Sequence, residues 1–313
     1  MAQLDPTVKG DFNAGFFTPE QSAPLFERAA RQSVVMRLAR QVPLGDNGAN
    51  IPVFTGKASA GWVNEGGVKP TTEGAVSIKN ISPKKLAAIT VVSAEVLRSN
   101  PANYMSYIRD SIVEAFAIAF DNAALHGLNT PWGAGNYIDA TTRTAVELGT
   151  TAQTAGGTYG DLVAGLKTLT DAKVRPNGFA FDERVEPTFL GSTDTTGRPL
   201  WIDSPDMAST VDNLMAGRVL GRPAFMGEGV GTDVGQVGVD SGVVGYLGDW
   251  SQAVWGVSHG ISWKVSDTGA VTLNGTLISL LERNLVAIVA EAEYGFLVND
   301  ANAFVQYVDI VEE

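Results

Sequence analysis

One stretch constrains this chain more than any other: SNPANYMSYIRDSIVEAFAIAFDNAALHG, residues 99–127. Asn100 is suited to cap a helix, Pro101 to occupy its first position and Gly127 to end it. Tyr104, Ile108, Ile112, Phe116 and Phe120 recur every four residues, so their apolar stripe drifts slowly around the axis. At 1.5 Å per residue, a helix over 101–126 would run roughly 39 Å. That is a spine, and the rest of the chain has to be arranged along it.

The second constraint is the polar, Gly-rich run ASAGWVNEGGVKPTTEGAVSIKN, residues 58–80. It separates two strand-like segments, ANIPVFTG and KKLAAITVVSAEVL, the latter β-rich between Leu86 and Val92. Connections longer than about 12–15 residues are uncommon in compact domains and are usually functional or disordered. The alternation of Val76, Ile78 and Ile81 predicts an extended return strand, so the run reads as a long two-stranded flap. Trp62 is stranded in this polar run with no evident place to be buried.

Residues 1–18 read as an extended arm with Phe12, Phe16 and Phe17 as isolated anchors. Thr18 and Pro19 signal a short helical turn, limited by Pro24, and a further helix is expected over Leu25–Ser33. TYGDLVAGLKTLTDAKVRPNG predicts a second long helix, with Thr158 and Asp161 related as in a capping box and Leu162, Leu166 and Leu169 on one face. From Gly217 to Asp267 Gly alternates with Val, Trp and Phe, a pattern of strands and turns. The tail SLLERNLVAIVAEAEYGFLVNDANAFVQYVDIV begins with helical spacing and passes into Val-rich and Phe-rich strands.

A net charge of −12 argues against holding nucleic acid by phosphate neutralisation, which needs clustered Lys and Arg. The chain has no cysteine, so no disulfide or thiolate can contribute. No secretory signal and no membrane span are visible, and the expected location is the cytoplasm. Two lone histidines and no cysteine leave out the usual zinc sets, and no cofactor fingerprint is present. Asp203 and Asp206 in DSPD are the one carboxylate pair singled out for Mg²⁺ or Ca²⁺, though such pairs are usually solvated turns. GVSHG, residues 256–260, fits the G-x-S-x-G elbow around Ser258. That elbow needs strand, tight turn and helix, whereas both flanks here are strand-like, so the motif is expected to close a hairpin. A hydrolase would have to use Ser258 or a carboxylate pair that spacing alone does not select.

Taken in order, four patches resemble the HK97-like major capsid proteins of tailed bacteriophages. These are SAPLFERAARQSVVMRLARQVPL; ASAGWVNEGGVKP with ISPKKLAAITVVSAEVL; VLGRPAFM with GYLGDWSQAVWGV; and LLERNLVAIVAEAEYGFLVNDANAF. The chain departs from the family in having Ile288 where an Arg is frequent, and in having only about 17 residues before its first helix signal.

The resemblance implies an α+β fold: an N-arm, an extended β-hairpin (the E-loop), a peripheral domain with the spine helix, and an axial domain with a mixed or antiparallel sheet flanked by helices. The expected divisions are residues 1–48 for the arm and leading helix, 49–90 for the E-loop, 91–135 and 272–298 for the peripheral domain, and 136–271 and 299–313 for the axial domain. It also implies a non-enzymatic shell subunit, assembling in pentamers and hexamers into an icosahedral head around double-stranded DNA, with no cofactor. Expected partners are other copies of the chain, a separate scaffolding protein, a portal and a decoration protein. On this reading Trp62, Glu65, Lys57 and Lys69 make inter-subunit contacts from the E-loop, and Phe12, Phe16 and Phe17 do so from the arm. Lys57 and Lys69 are also the E-loop lysines available for the isopeptide cross-link that some members form. An encapsulin-like shell around protein cargo uses the same fold and is the nearest alternative.

Overall fold

The computed structural model describes residues 32–54, 60–65, 67–69, 71, 76–99, 104–152, 156–192, 202–203, 214–232, 242–273 and 275–309. Phe12, Phe16, Phe17 and Lys57 lie outside the described residues, as do Asn100 and Pro101.

The periodic stretch forms the central helix, α3 (Tyr104–Leu125), preceded by the short helices α1 (Val34–Leu38) and α2 (Ala94–Ser99). Its 22 residues span about 33 Å. Ile108, Ile112, Phe116 and Phe120 are all buried, so the four-residue stripe is the face that meets the core. The helix stops as expected at Gly127, whose φ of 69° is the left-handed geometry a Cβ disfavours.

Two sheets pack along this spine. The four-stranded sheet has the order β1 (Arg40–Gln41), β11 (Ala253–Ser266), β14 (Leu285–Val298), β4 (Lys84–Ser93). In β4 and β14 alternate residues point inward: Leu86, Ala88 and Val92 pack with Val286, Ile288, Ala290, Ala292 and Tyr294 in the core that α3 covers. Phe120 sits at its centre, edge-on to Trp132, Trp255, Tyr294 and Phe296 at centroid distances of 5.5, 6.3, 5.6 and 5.9 Å. These offset geometries suit the ring quadrupoles.

The seven-stranded sheet has the order β5 (Val146–Glu147), β15 (Phe304–Val308), β10 (Val243–Gly248), β6 (Gly178–Phe181), β9 (Arg222–Met226), β8 (Met215–Val219), β7 (Ile202–Asp203). Its β6–β9 and β15–β5 pairs are parallel and the others antiparallel. One face joins the α3 core through Ala180, Ala216, Phe225 and Tyr246. The other packs Phe179, Phe181 and Tyr307 against Leu162 and Leu169 of α4 (Gly157–Asp171) and Phe189 of α5 (Glu186–Gly191). The mixed helix and sheet architecture is the expected one. The hairpin β12 (Ala270–Leu273) with β13 (Thr276–Ser279) pairs only with itself.

Several expectations are corrected. Ser33, expected inside a helix over Leu25–Ser33, is extended and caps α1 by accepting from the Met36 amide. Thr158 and Asp161 form no capping box: α4 is capped by Gly156, while Asp161 accepts from the Gly149 amide and the Thr151 hydroxyl. The tail starts with a turn and no helix; Leu285 donates to the Leu280 carbonyl at 2.9 Å and Asn284 takes φ 52°. GVSHG closes no hairpin and lies inside the 14-residue β11, at two breaks in its register with β14. Strand β11 pairs with β14 and β1 in the four-stranded sheet.

Candidate assembly surface

The flap is built from β2 (Ala49–Phe54) and β3 (Val76–Ile81), antiparallel with Ala49 opposite Ile81 and Phe54 opposite Val76. Pro52 is tolerated because each strand has a free edge. Its root is fixed. Ile81 is 1% exposed and packs with Leu44, Val254 and Leu297 on the outer face of the four-stranded sheet. Lys79 Nζ donates to the carbonyl oxygens of Asn299 at 2.6 Å and Val298 at 3.4 Å. Gly48, at φ 81°, lets the turn pass so close to the Ile81 carbonyl that a Cβ there would collide with it. Asn80 Nδ2 donates to Asn50 Oδ1 at 2.9 Å across the pair.

Beyond the root this support ends. Trp62 is fully exposed, Val68 is 95% exposed, and Val63, Val76 and Ile78 are exposed as well. Glu65 and Lys69 are also exposed, and the Asn64 carbonyl accepts from the Gly67 amide at 2.9 Å to turn the chain. The structure thus brings Trp62, Glu65 and Lys69 into one outlying segment. Isolated two-stranded hairpins are at best marginally stable in water, so such a segment gains order from whatever covers it. Burying one large apolar side chain contributes about 1.5–3 kcal/mol.

The segment that leads out of the N-terminal region is held differently. Asp121, buried on α3, accepts from the Ser33 hydroxyl at 2.5 Å, the Val34 amide at 2.8 Å and the Val35 amide at 3.3 Å. Burial pushes its pKa up to about 7, and those three donors pull the other way. In the sequence Asp121 interrupts an otherwise apolar run. An acid directly after Phe120, the last member of the core-facing stripe, is the available signal for a buried anchor. Lys79 gave no such signal, since nothing local distinguishes it from Lys57 or Lys69.

Ser258 has no catalytic arrangement. Its Oγ donates to Asp46 Oδ1 at 3.0 Å, and His259 Nε2 meets the same oxygen at 3.2 Å. In a triad the imidazole stands between hydroxyl and carboxylate; here the carboxylate takes both groups directly. Among the described residues no cluster of His, Asp and Glu is suited to a metal, and no helix is long and apolar enough to cross a membrane.

Comparison with known proteins gives a consistent result. The sequence model of the phage capsid family matches residues 14–309. The protein named "Probable major capsid protein gp17" of Mycobacterium phage D29 is 38% identical over 304 residues, 95% of this chain and 91% of that protein. Its namesake from Mycobacterium phage L5 is 38% identical over 307 residues, covering 95% and 90%. A solved structure from Gordonia phage Cozz superposes with a TM-score of 0.69 at 30% identity, covering 90% of this chain and 87% of that one.

Proposed function

This chain belongs to the phage capsid family, with an HK97-like fold, and is a major capsid protein of a tailed phage; on that premise we propose how its parts build the shell. The observation that carries the proposal is Trp62, a fully exposed indole at the end of a hairpin that pairs only with itself. The flap is the E-loop and lies across the adjacent subunit, where Trp62, Val63 and Val68 are covered. Glu65 and Lys69 form the polar rim of that contact, with Lys57, and the arm bearing Phe12, Phe16 and Phe17 makes a second overlap. Head-to-tail contacts of this kind close into rings, here of five and six subunits.

Within the subunit the peripheral unit comprises 91–135 and 272–298 and the axial unit 136–271 and 299–313; the pairing of β11 with β14 supports grouping that strand with the peripheral unit. A separate scaffolding protein guides assembly in the host cytoplasm, and a portal and a decoration protein complete the head. The charge of −12 suits a container, because a negative wall repels phosphate and leaves packaged DNA unattached. The subunit catalyses no reaction; the direct Ser258–Asp46 contact supports that reading. Phage capsid relatives favour DNA over protein cargo.

The test is Trp62→Ala, expressed with the scaffolding protein. Circular dichroism should match the parent, while electron microscopy should show few or no closed shells. Shells of parental yield and parental resistance to denaturant would overturn the assigned role.

A further inference from the structure

The free edges of the sheets are unequal. Among the described residues β1, β5 and β7 are edge strands of two residues each, and β12 and β13 have four. In the flap β2 and β3 have six, with Pro52 in β2. Strand β4 is an edge strand of ten residues, and its pairing with β14 runs from Tyr294 to Leu285 without a bulge. Exposed edges are normally blunted by charge, proline or a bulge, because a row of open N–H and C=O groups pairs with any extended segment that fits. After Lys84 and Lys85, the stretch from Leu86 to Ser93 holds no charge, no proline and no glycine. Its outer face, turned away from α3, presents Ile89 at 56% exposed, with exposed Ala87 and partly buried Val91 on either side. Lys85 is held by Glu291 at 3.1 Å, while Lys84 is exposed and has no ion-pair partner among the described residues.

The chain carries a segment of matching pattern. In DFNAGF, residues 11–16, Asp11, Asn13 and Gly15 alternate with Phe12, Ala14 and Phe16, the period of a strand with one apolar face. A parallel alignment that sets Asp11 beside Lys84 brings Ala14 beside Ala87 and Phe16 beside Ile89. One register therefore satisfies both chemistries, carboxylate with ammonium at its start and ring on aliphatic side chain further along. A slip of one residue would turn the phenylalanines to the other face. Residues 17–32, which join this segment to the start of the described chain, extend up to about 55 Å, against roughly 33 Å for the spine helix, so a neighbouring copy is within reach.

We propose that the edge of β4 is a strand-addition site, and that residues 11–17 of a second copy of this chain pair with it as a fifth strand of the four-stranded sheet. Backbone hydrogen bonds supply the attachment, while Phe16 on Ile89 and Asp11 on Lys84 fix the register. The site rests on the reading of this chain as a shell subunit, and it says where the overlap of the arm lands: on the sheet beside the spine, and not on the flap.

The chain has no cysteine, so introduced thiols report on one contact alone. Chains carrying Ala14→Cys and chains carrying Ala87→Cys, which keep Phe16 and Ile89, are assembled together with the scaffolding protein and oxidised with copper phenanthroline. Adjacent strands lie about 4.8 Å apart, a separation a disulfide spans. Non-reducing electrophoresis of the shells should show a dimer with one chain of each kind, and no dimer when Tyr107→Cys, at an exposed position of α3, replaces Ala87→Cys. A second measurement needs no shell: millimolar synthetic peptide of residues 9–18, added to the unassembled subunit, should slow amide exchange in β4 about tenfold and leave β2 and β3 unchanged. Ile89→Lys, at an exposed position, should keep the parental circular dichroism and abolish that slowing. No mixed dimer in closed shells, or peptide that leaves β4 exchange unchanged, would overturn the site and leave the shell reading standing. Shells of parental stability built from a chain lacking residues 1–17 would overturn the overlap of the arm itself.

Discussion

Trp62 and Trp255 are the same side chain in opposite circumstances. Trp255 is 3% exposed on β11 and lies edge-on to Phe120, with the spine helix above it and β14 beside it. Trp62 touches nothing that could bury it. Among the described residues the flap is secured at its root, by Ile81 and Lys79, whereas the spine is secured along its length. The contrast teaches that the subunit keeps its own stability on the spine side and leaves the apolar surface of the flap uncovered, as the proposed contact with a neighbouring subunit requires.

Damage to the spine side should therefore cost most. Phe120→Ala removes the ring on which four others converge, and should lower the unfolding free energy by about 3–5 kcal/mol in chemical denaturation. A loss below about 1 kcal/mol would break the contrast.

Asp121 sharpens it through pH. Its pKa in the folded chain, about 7, lies above the ordinary 3.8, so between those values folding retains a proton that the unfolded chain releases. Its contribution is fully present below about pH 4, declines as pH rises and is gone above pH 7. Measured against Asp121→Asn, the parent should lose up to a few kcal/mol of relative stability from pH 4 to 7 and change no further above that. An identical pH profile for both proteins would mean that burial does not govern this carboxyl.

A smaller, local effect is expected at the junction of the two regions. Lys79→Met removes both hydrogen bonds to the end of β14, at a cost of about 1–2 kcal/mol. It should speed amide exchange in β2 and β3 while the exchange of α3 is unchanged. Smallest of all, Trp62→Ala should shift the stability of the unassembled subunit by no more than about 0.5 kcal/mol. A larger loss would show that the indole supports its own subunit.

Much of this was legible in the chain. The four-residue recurrence from Ile108 to Phe120 located the buried face of the spine, Gly127 its end, and Val76, Ile78 and Ile81 the return strand of the flap. The order of patches gave the family that the comparisons show. The failures share one cause. GVSHG has the spacing of an elbow or a turn, yet pairing with β14 carries it through as one bulged strand. The SLLER segment has helical spacing, yet the turn closed by Leu280 and Leu285 takes its place. Asp161 looked like a cap and instead satisfies Gly149 and Thr151, more than a helical turn away.

What the sequence by itself determined is local: where the chain is helical or extended, which face of each element is apolar, and that the flap holds more apolar surface than it can bury. Those properties follow from side-chain period and backbone geometry, which neighbours a few residues apart settle. Only the tertiary structure decided that β11 belongs beside β14 and that Asp121 meets a serine 88 positions earlier. Only it enclosed His126 between Asp139 and the Val230 carbonyl. Partner choice across the chain, and the loss of water around a charge, come into being when distant segments pack together, and no local pattern encodes either.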